Sequence, residues 1–323
     1  MTIYKYLNPK NDVAFKRIFG TEKNKDILIN FLNEVLKNQL ALPIEDVTFL
    51  KPVQDPEIAS KKQSIVDVLC RDKHGVQYII EMQVAKTSGF EERAQFYAAK
   101  AYIDQMNAGN KNYQDLKEVI FIAIADYDIF PDKKNYKSEH VILDRVTLAN
   151  DLKMFSFTFV NLPKFAEYYE NSKKEVSDLS LEERWYYFLK NAEGMSDAEL
   201  ESLAGKDIEI KAAYREVERF NWTEPELWTY ERELKRERDE YCVELYMKQE
   251  AERIGMEKGM EKGMQKGMQK GIEKGLKEGM EKGRKEGIGQ ERVEMARKML
   301  AKGLSNETIS EMTGFSKSEL ETL

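Results

Sequence analysis

Cysteine and histidine are scarce, with two of each in 323 residues, and that scarcity removes several chemistries at once. Cys70 and Cys242 stand far apart with no Cys-x-x-Cys or Cys/His cluster, so neither a disulfide framework nor a zinc site is indicated. His74 falls in a turn, and His140 opens a candidate strand with no nucleophile beside it, which leaves Ser-His and Cys-His catalysis little material. No Gly-x-x-x-x-Gly-Lys-Ser/Thr or Gly-x-Gly-x-x-Gly run is present, and this excludes the common nucleotide cradles. Long apolar runs are also missing. No segment approaches the length needed to span a bilayer, and the opening MTIYKYLNPKNDV has charges and a proline where a signal peptide needs an apolar stretch. The expectation is a soluble, cytoplasmic protein with no membrane association.

What is present is a globular composition, 41% hydrophobic, with a net charge of -7. That balance is a weak argument against a protein that coats DNA, because phosphate binding relies on basic surface. The charge is uneven, however. Residues 1 to 112 hold 16 Lys+Arg against 14 Asp+Glu, which is +2 and leaves -9 for the remainder. Nucleic-acid contact is therefore expected in the first third.

Hydrophobic spacing gives the order of elements. Asp12 can cap a helix over VAFKRIF that stops at Gly20, and a second helix over 24 to 38 carries Ile27, Phe31, Leu32 and Val35 on one face. The period then changes to that of strands at Val47 to Leu50, Ile65 to Arg71 and Val76 to Val84, divided by Lys51-Pro52 and by Asp72-Lys73-His74-Gly75. A helix from Glu91 to about Gly109, with Phe96, Ala99, Ile103 and Met106 forming its stripe, precedes the buried strand EVIFIAIA at 118 to 125. Further strands are expected at 140 to 146 and 154 to 160, and after Pro163 the pattern is helical. The reading is α/β: a mixed sheet flanked by helices in residues 1-162, and a helical extension over 163-245.

Glycine then recurs at every fourth position from Gly255 through Gly287, nine times, followed in most repeats by Met, Ile or Leu. Fourth neighbours form one slanted ridge on a helix, but glycine costs about 1 kcal/mol relative to alanine in a helix interior. Residues 246-290 are therefore either a helix packed closely on a partner, which would make a homo-oligomer, or a charged spacer of fraying helix. Residues 291-323 suggest three short helices in a helix-turn-helix-like module, with Gly303 as a stop and Ser316-Lys317-Ser318-Glu319 as a capping box. The third helix has a single lysine and no arginine, so docking or self-association is favoured over base reading.

The chemistry concentrates in SIVDVLCRDKHGVQYIIEMQV, residues 64 to 84. A three-residue loop centred on His74 pairs Val68 with Ile80, Cys70 with Tyr78, Leu69 with Ile79, Val66 with Met82 and Ile65 with Gln83, and it sets Asp67 opposite Glu81. A slip of one residue would send the carboxylates and their apolar neighbours to opposite sides. Two carboxylates about 5 Å apart at their Cα atoms are unfavourable without a cation, and hydrated Mg²⁺ (or Mn²⁺) is the usual compensation. Such an ion polarises a phosphoryl oxygen and activates water, as phosphodiester hydrolysis requires. Gln83 shares the face of Glu81 and can orient that water or touch the phosphate. Arg93, Tyr97 and Lys100, on one face of the next helix, can contact DNA phosphate. Solvated acids on a half-exposed strand are the alternative.

At these residues the sequence resembles the Rpn recombination-promoting nucleases, also known as PD-(D/E)XK nuclease family transposases. Asn11-Asp12, Phe15-Lys16, Phe19 and Phe31-Leu32-Asn33 are similar to the family's opening, and Ile65-Val66-Asp67 with Glu81-Met82-Gln83 to its catalytic strands. Arg93, Tyr97, Gly109 and Tyr113 fit the helix that follows. Leu162-Pro163-Lys164-Phe165 and Arg184 to Leu189 (RWYYFL) are similar to later signatures. The resemblance implies a restriction-endonuclease-like fold and Mg²⁺-dependent DNA cleavage tied to recombination or transposition. Asp67 and Glu81 would be metal ligands, Gln83 would take the usual lysine position, and Asn161 would stand where relatives often carry Glu. It further implies Glu34 as an extra acid from the first helical region and Lys16 as a phosphate contact. A catalytically weak DNA- or protein-binding oligomer, assembled through the glycine-repeat tail, is the competing reading.

Overall fold

The computed structural model describes residues 4–50, 53–54, 64–107 and 112–323, and Gly109 lies outside them. It divides into two compact units, residues 1–239 and 240–323.

The first unit is an α/β structure around a six-stranded mixed sheet. Its strands are β1 (Val47–Phe49), β4 (Val68–Asp72), β5 (Gln77–Gln83), β6 (Val119–Ala125), β8 (Phe155–Asn161) and β7 (Lys137–Val141), in that spatial order. A separate pair joins β2 (Val53–Gln54) to β3 (Ser64–Ile65). The pairs β1/β4, β4/β5 and β7/β8 are antiparallel, whereas β5/β6 and β6/β8 are parallel. The parallel trio is central, and all seven residues of β6 are buried, as expected for a strand covered on both faces.

Alternation along the strands makes two cores. Ile80 and Met82 of β5, Ile120, Ile122 and Ile124 of β6 and Val160 of β8 meet a helical layer. That layer comprises α1 (Asp12–Phe19), α2 (Lys25–Val35), α4 (Leu162–Ser172), α5 (Leu181–Asn191), α6 (Asp197–Ala204) and α7 (Ile208–Val217). Phe15, Phe19, Phe31, Phe165, Trp185 and Tyr186 are completely buried there, and each contributes on the order of 2–3 kcal/mol of transfer free energy. The Trp185 indole N–H donates to Asn30 Oδ1 at 2.8 Å, so the largest side chain in the core leaves no donor unpaired. The helices after residue 162 thus complete the same core as the sheet.

The opposite face of the sheet is covered by α3 (Phe90–Asn107). Here the expected stripe is corrected. Phe90, Ala94, Ala98 and Ala101 face the sheet, while Phe96 and Ile103 are about 60% exposed. The helical period holds but the buried face is a different one: small alanines let a helix approach a sheet closely, whereas hydrophobicity alone favours the bulkier stripe. Gln105 continues the alanine stripe and is buried, its amide bonded both ways to the backbone of Lys117 (3.0 and 2.8 Å). The cap of α1 is also corrected, because the Asn11 side chain accepts from the Val13 amide and Asp12 is the first helical residue.

The long helix α8 (Glu224–Ala301) begins in the first unit, and in the second its end forms a small cluster with α9 (Asn306–Thr313) and α10 (Lys317–Leu320). Ala296, Ile309 and Leu320 form its centre. Arg292 Nε donates to the Thr313 carbonyl at 2.8 Å, and its guanidinium lies over Phe315. Gly314 adopts φ +71° after α9, and Ser316 with Glu319 forms the expected capping box.

Candidate active site

The hairpin β4–β5 has the register read from sequence. Val68, Leu69, Cys70 and Arg71 pair with Ile80, Ile79, Tyr78 and Gln77. Asp72 closes the turn, its Oδ1 accepting from the amides of His74 and Val76, and Gly75 takes φ +88° where a Cβ would meet the Lys117 side chain at 2.9 Å. His74 is therefore a turn residue, as expected.

The ladder stops one step short of the acids. The run expected to be continuous from Ile65 is broken at Val66-Asp67 into β3 and β4, and Ile65 pairs with Val53 rather than with Gln83. Val66, expected beside Val68, packs in the α3-side core with Leu69. The cause is Asp67 itself. The Asp72–Val76 backbone bond makes even-numbered pairs the hydrogen-bonded ones, so a continued ladder would send the Met82 amide to the Val66 carbonyl. Asp67 Oδ2 takes that bond instead, at 2.8 Å. A side-chain carboxylate thus replaces a strand carbonyl and bends the chain.

The bend leaves Asp67 largely buried, with 15% of its side chain exposed, beside the deeply buried Glu81. Burial raises the Asp67 pKa to about 6, against the opposing effects of the Met82 amide and of Lys16. Burial pushes Glu81 well above the ordinary carboxyl range, and the neighbouring Asp67 charge adds to it, while Arg93 and the Asp67 amide act the other way. Ionisation of Asp67 thus bears directly on Glu81.

The other predicted residues fall as follows. Gln83 Nε2 donates to Glu81 Oε2 at 3.2 Å, and Arg93 Nη2 donates to Gln83 Oε1 at 2.7 Å, so α3 anchors the glutamine from above the sheet. Lys16 approaches from α1, 3.6 Å from Asp67 Oδ1 and 2.5 Å from Asp12 Oδ1. Tyr97 packs against the α3-side core with its ring on Phe96. Burial raises Asp104 and the nearby Lys100 ammonium opposes that rise. Glu34 lies on α2 against Lys37 at 3.9 Å, and that lysine also reaches Glu182 at 3.3 Å. The acid that α1 brings toward Asp67 is Asp12, for which the sequence suggested only a cap. Asn161 caps α4 through Oδ1 and donates to Asp128.

Sequence reasoning missed one neighbour of this cluster. Asp126 follows β6 directly, its amide donates to the Gln83 carbonyl at 2.8 Å, and Lys10 and Lys190 converge on its carboxylate. The only signal was an acid placed immediately after a fully buried strand.

A divalent cation fits what is present. Glu81 Oε1 is buried without a hydrogen-bond partner, an acceptor that burial alone leaves costly, and Asp67 Oδ1 faces the Lys16 ammonium. Among the described residues no group of three or more His, Cys, Asp or Glu side chains is placed to hold a metal. Two carboxylates are nonetheless a sufficient protein share for a hydrated Mg²⁺, which keeps most of its waters.

Comparison with known proteins gives two family matches. Residues 9–245 match the family model described as PD-(D/E)XK nuclease family transposase, and residues 290–323 match an Rpn/YhgA-like nuclease family C-terminal helix-turn-helix domain. The second match weighs against the docking role favoured from the sparse charge of the last helix. No curated protein and no solved structure matches. No helix among the described residues is long and apolar enough to cross a membrane. Matched over most of its length, the chain belongs to the PD-(D/E)XK nuclease family transposases.

Proposed function

We propose that the chain is a divalent-metal-dependent DNA endonuclease acting in recombination or transposition, with Asp67 and Glu81 as the metal ligands and Gln83 as the third catalytic residue. The observation that carries this reading is the pair of buried carboxylates with an unpartnered Glu81 Oε1. Two carboxylates buried side by side resist ionisation even with Lys16 and Arg93 near them, and a family of nucleases gives a cation between them a purpose. A bound Mg²⁺ or Mn²⁺ would supply Lewis-acid polarisation of the scissile phosphate and an activated water.

The chain's own groups do the rest. The Met82 amide holds Asp67 in one rotamer, and Arg93 fixes Gln83 so that its amide N–H₂ points toward Glu81. Lacking a lysine's charge, Gln83 orients by hydrogen bonding, and Arg93 supplies the positive field that a lysine would have brought. Lys16, Tyr97 and Lys100 are proposed to touch DNA phosphates, with Glu34 outside the ligand set. The helix-turn-helix unit is proposed to add DNA affinity, and the protein is proposed to act in the cytoplasm. Supercoiled plasmid incubated with Mg²⁺ and the full chain should be nicked, and Asp67→Ala should abolish nicking. Persistent nicking by that variant removes Asp67 from the mechanism.

One observation favours a second element, self-association through the tail. A Cβ built at any of the nine repeat glycines from Gly255 to Gly287 meets nothing within 4 Å, and Met256, Met260, Met264 and Met268 are each about 70–80% exposed. This ridge has no partner within the described chain, and i±4 ridges of two helices interdigitate at a crossing near −50°. In the competing reading, a catalytically weak protein assembles through this tail. A stable oligomer lost on deleting residues 255–323, together with no cleavage in any divalent ion, would favour it.

A further inference from the structure

We infer that Lys10 and Lys190, gathered on Asp126, form a second phosphate-binding subsite that holds the DNA backbone next to the scissile phosphate. The inference rests on the nuclease reading for its neighbour, but its residues are separate from the proposed catalytic set. Lys10 precedes α1 and Lys190 lies in the last turn of α5, yet their ammonium groups reach opposite oxygens of one carboxylate, at 3.2 Å and 2.5 Å. Lys10 Nζ also lies 3.5 Å from the Lys190 carbonyl oxygen. One lysine neutralises one aspartate. The second is surplus, and both are held largely buried, with 11% and 27% of their side chains exposed. Asp126 thus works as a bracket that orients two cations without cancelling them.

The position gives the surplus a use. The Asp126 amide donates to the Gln83 carbonyl, so the bracket stands at the same end of the sheet as Gln83, on the adjoining strand. Charge points the same way. Asp12, Asp67, Glu81 and Asp126 face Lys16, Arg93, Lys10 and Lys190, four acids against four bases. A bound divalent ion then leaves two positive charges, which match the scissile phosphate and one neighbour.

The test is binding of a labelled DNA duplex by the full chain in EDTA across a salt series, alongside plasmid nicking in Mg²⁺. Lys190→Met should weaken binding about 3- to 10-fold and reduce the slope of log affinity against log salt by about one, the value for one lost phosphate contact. Asp126→Asn frees both lysines and should tighten binding by a similar factor. Lys190→Arg should keep the wild-type slope. Unchanged affinity and slope in Lys190→Met, or weaker binding by Asp126→Asn, would overturn the subsite and show that the lysines serve the aspartate alone. These outcomes are independent of the nuclease reading. Absent nicking with the predicted binding changes would sink the nuclease and leave the subsite, and normal nicking with unaltered binding would do the reverse.

Discussion

Asp67 Oδ2 accepts the Met82 amide at 2.8 Å, in the place that an unbroken β4 would give to the Val66 carbonyl. One carboxyl group therefore has two duties, ending the β-ladder and presenting its other oxygen to the site. Asp67→Asn should keep the first, because its Oδ1 can accept the same bond, and lose the second. Asp67→Ala leaves the Met82 amide without a partner and should cost about 1–3 kcal/mol of stability. Urea unfolding of the two variants measures the difference. Equal stabilities would mean that the bend does not depend on the carboxyl oxygen.

Glu81 predicts a pH dependence of stability. Its folded-state pKa is raised by burial and by Asp67, whose own lies at about 6. A group raised on folding contributes its full stabilisation below its unfolded pKa and loses it as pH rises through the folded value. In metal-free protein Glu81→Gln, which cannot ionise, should gain stability relative to wild type progressively as pH rises from 4 to 8. Thermal melts in EDTA across that range check it. A gap that does not vary with pH would contradict the account.

The same perturbed acids make metal binding proton-linked. The ion selects ionised carboxylates, so Mn²⁺ binding should release more protons at pH 6 than at pH 8. Calorimetry in buffers of different ionisation enthalpy counts them. Saturating Mn²⁺ at pH 8 should raise Tm in wild type and leave Glu81→Gln unmoved.

How much of this was legible in the sequence follows from where the constraint lay. The hairpin register was legible because alternation and a short turn allow one pairing, and Val68 to Arg71 obey it. The break at Asp67 was not, because nothing local announces that a side chain will replace a backbone acceptor. The face of α3 could not be read correctly since both Phe96/Ile103 and Ala94/Ala98/Ala101 have helical spacing, and the closeness of the sheet decides between them. Asp126, Lys10 and Lys190 were invisible for a different reason. They are scattered widely along the chain and meet only through the tertiary fold.

Arg93 anchors Gln83 at 2.7 Å from a helix that otherwise packs on the sheet through alanines. Arg93→Gln removes the charge beside Glu81 and should lower the nicking rate about 10- to 100-fold, comparable to losing one charge-assisted bond in the transition state. Tm should shift little, because the guanidinium is partly exposed. Gln83→Ala should give a loss of similar size, and the double variant should lose no more than slightly beyond either. Additive losses would show that the two act separately.

The tail offers a test with opposed readouts. Replacing Gly263, Gly267 and Gly271 with alanine meets no steric obstacle in the chain, so helicity by circular dichroism should rise, by about 1 kcal/mol of propensity per site. If a second copy packs on the glycine ridge, the added methyl groups should weaken association, read by sedimentation. Stronger helicity with unchanged mass would exclude the ridge as an interface.

The most direct test of the central claim is anomalous diffraction from crystals soaked in Mn²⁺. The account predicts a peak between Asp67 and Glu81, about 2.0–2.3 Å from a carboxylate oxygen of each, that disappears in Glu81→Gln. A peak elsewhere in the chain, or none between these acids in protein that cleaves DNA, would contradict it.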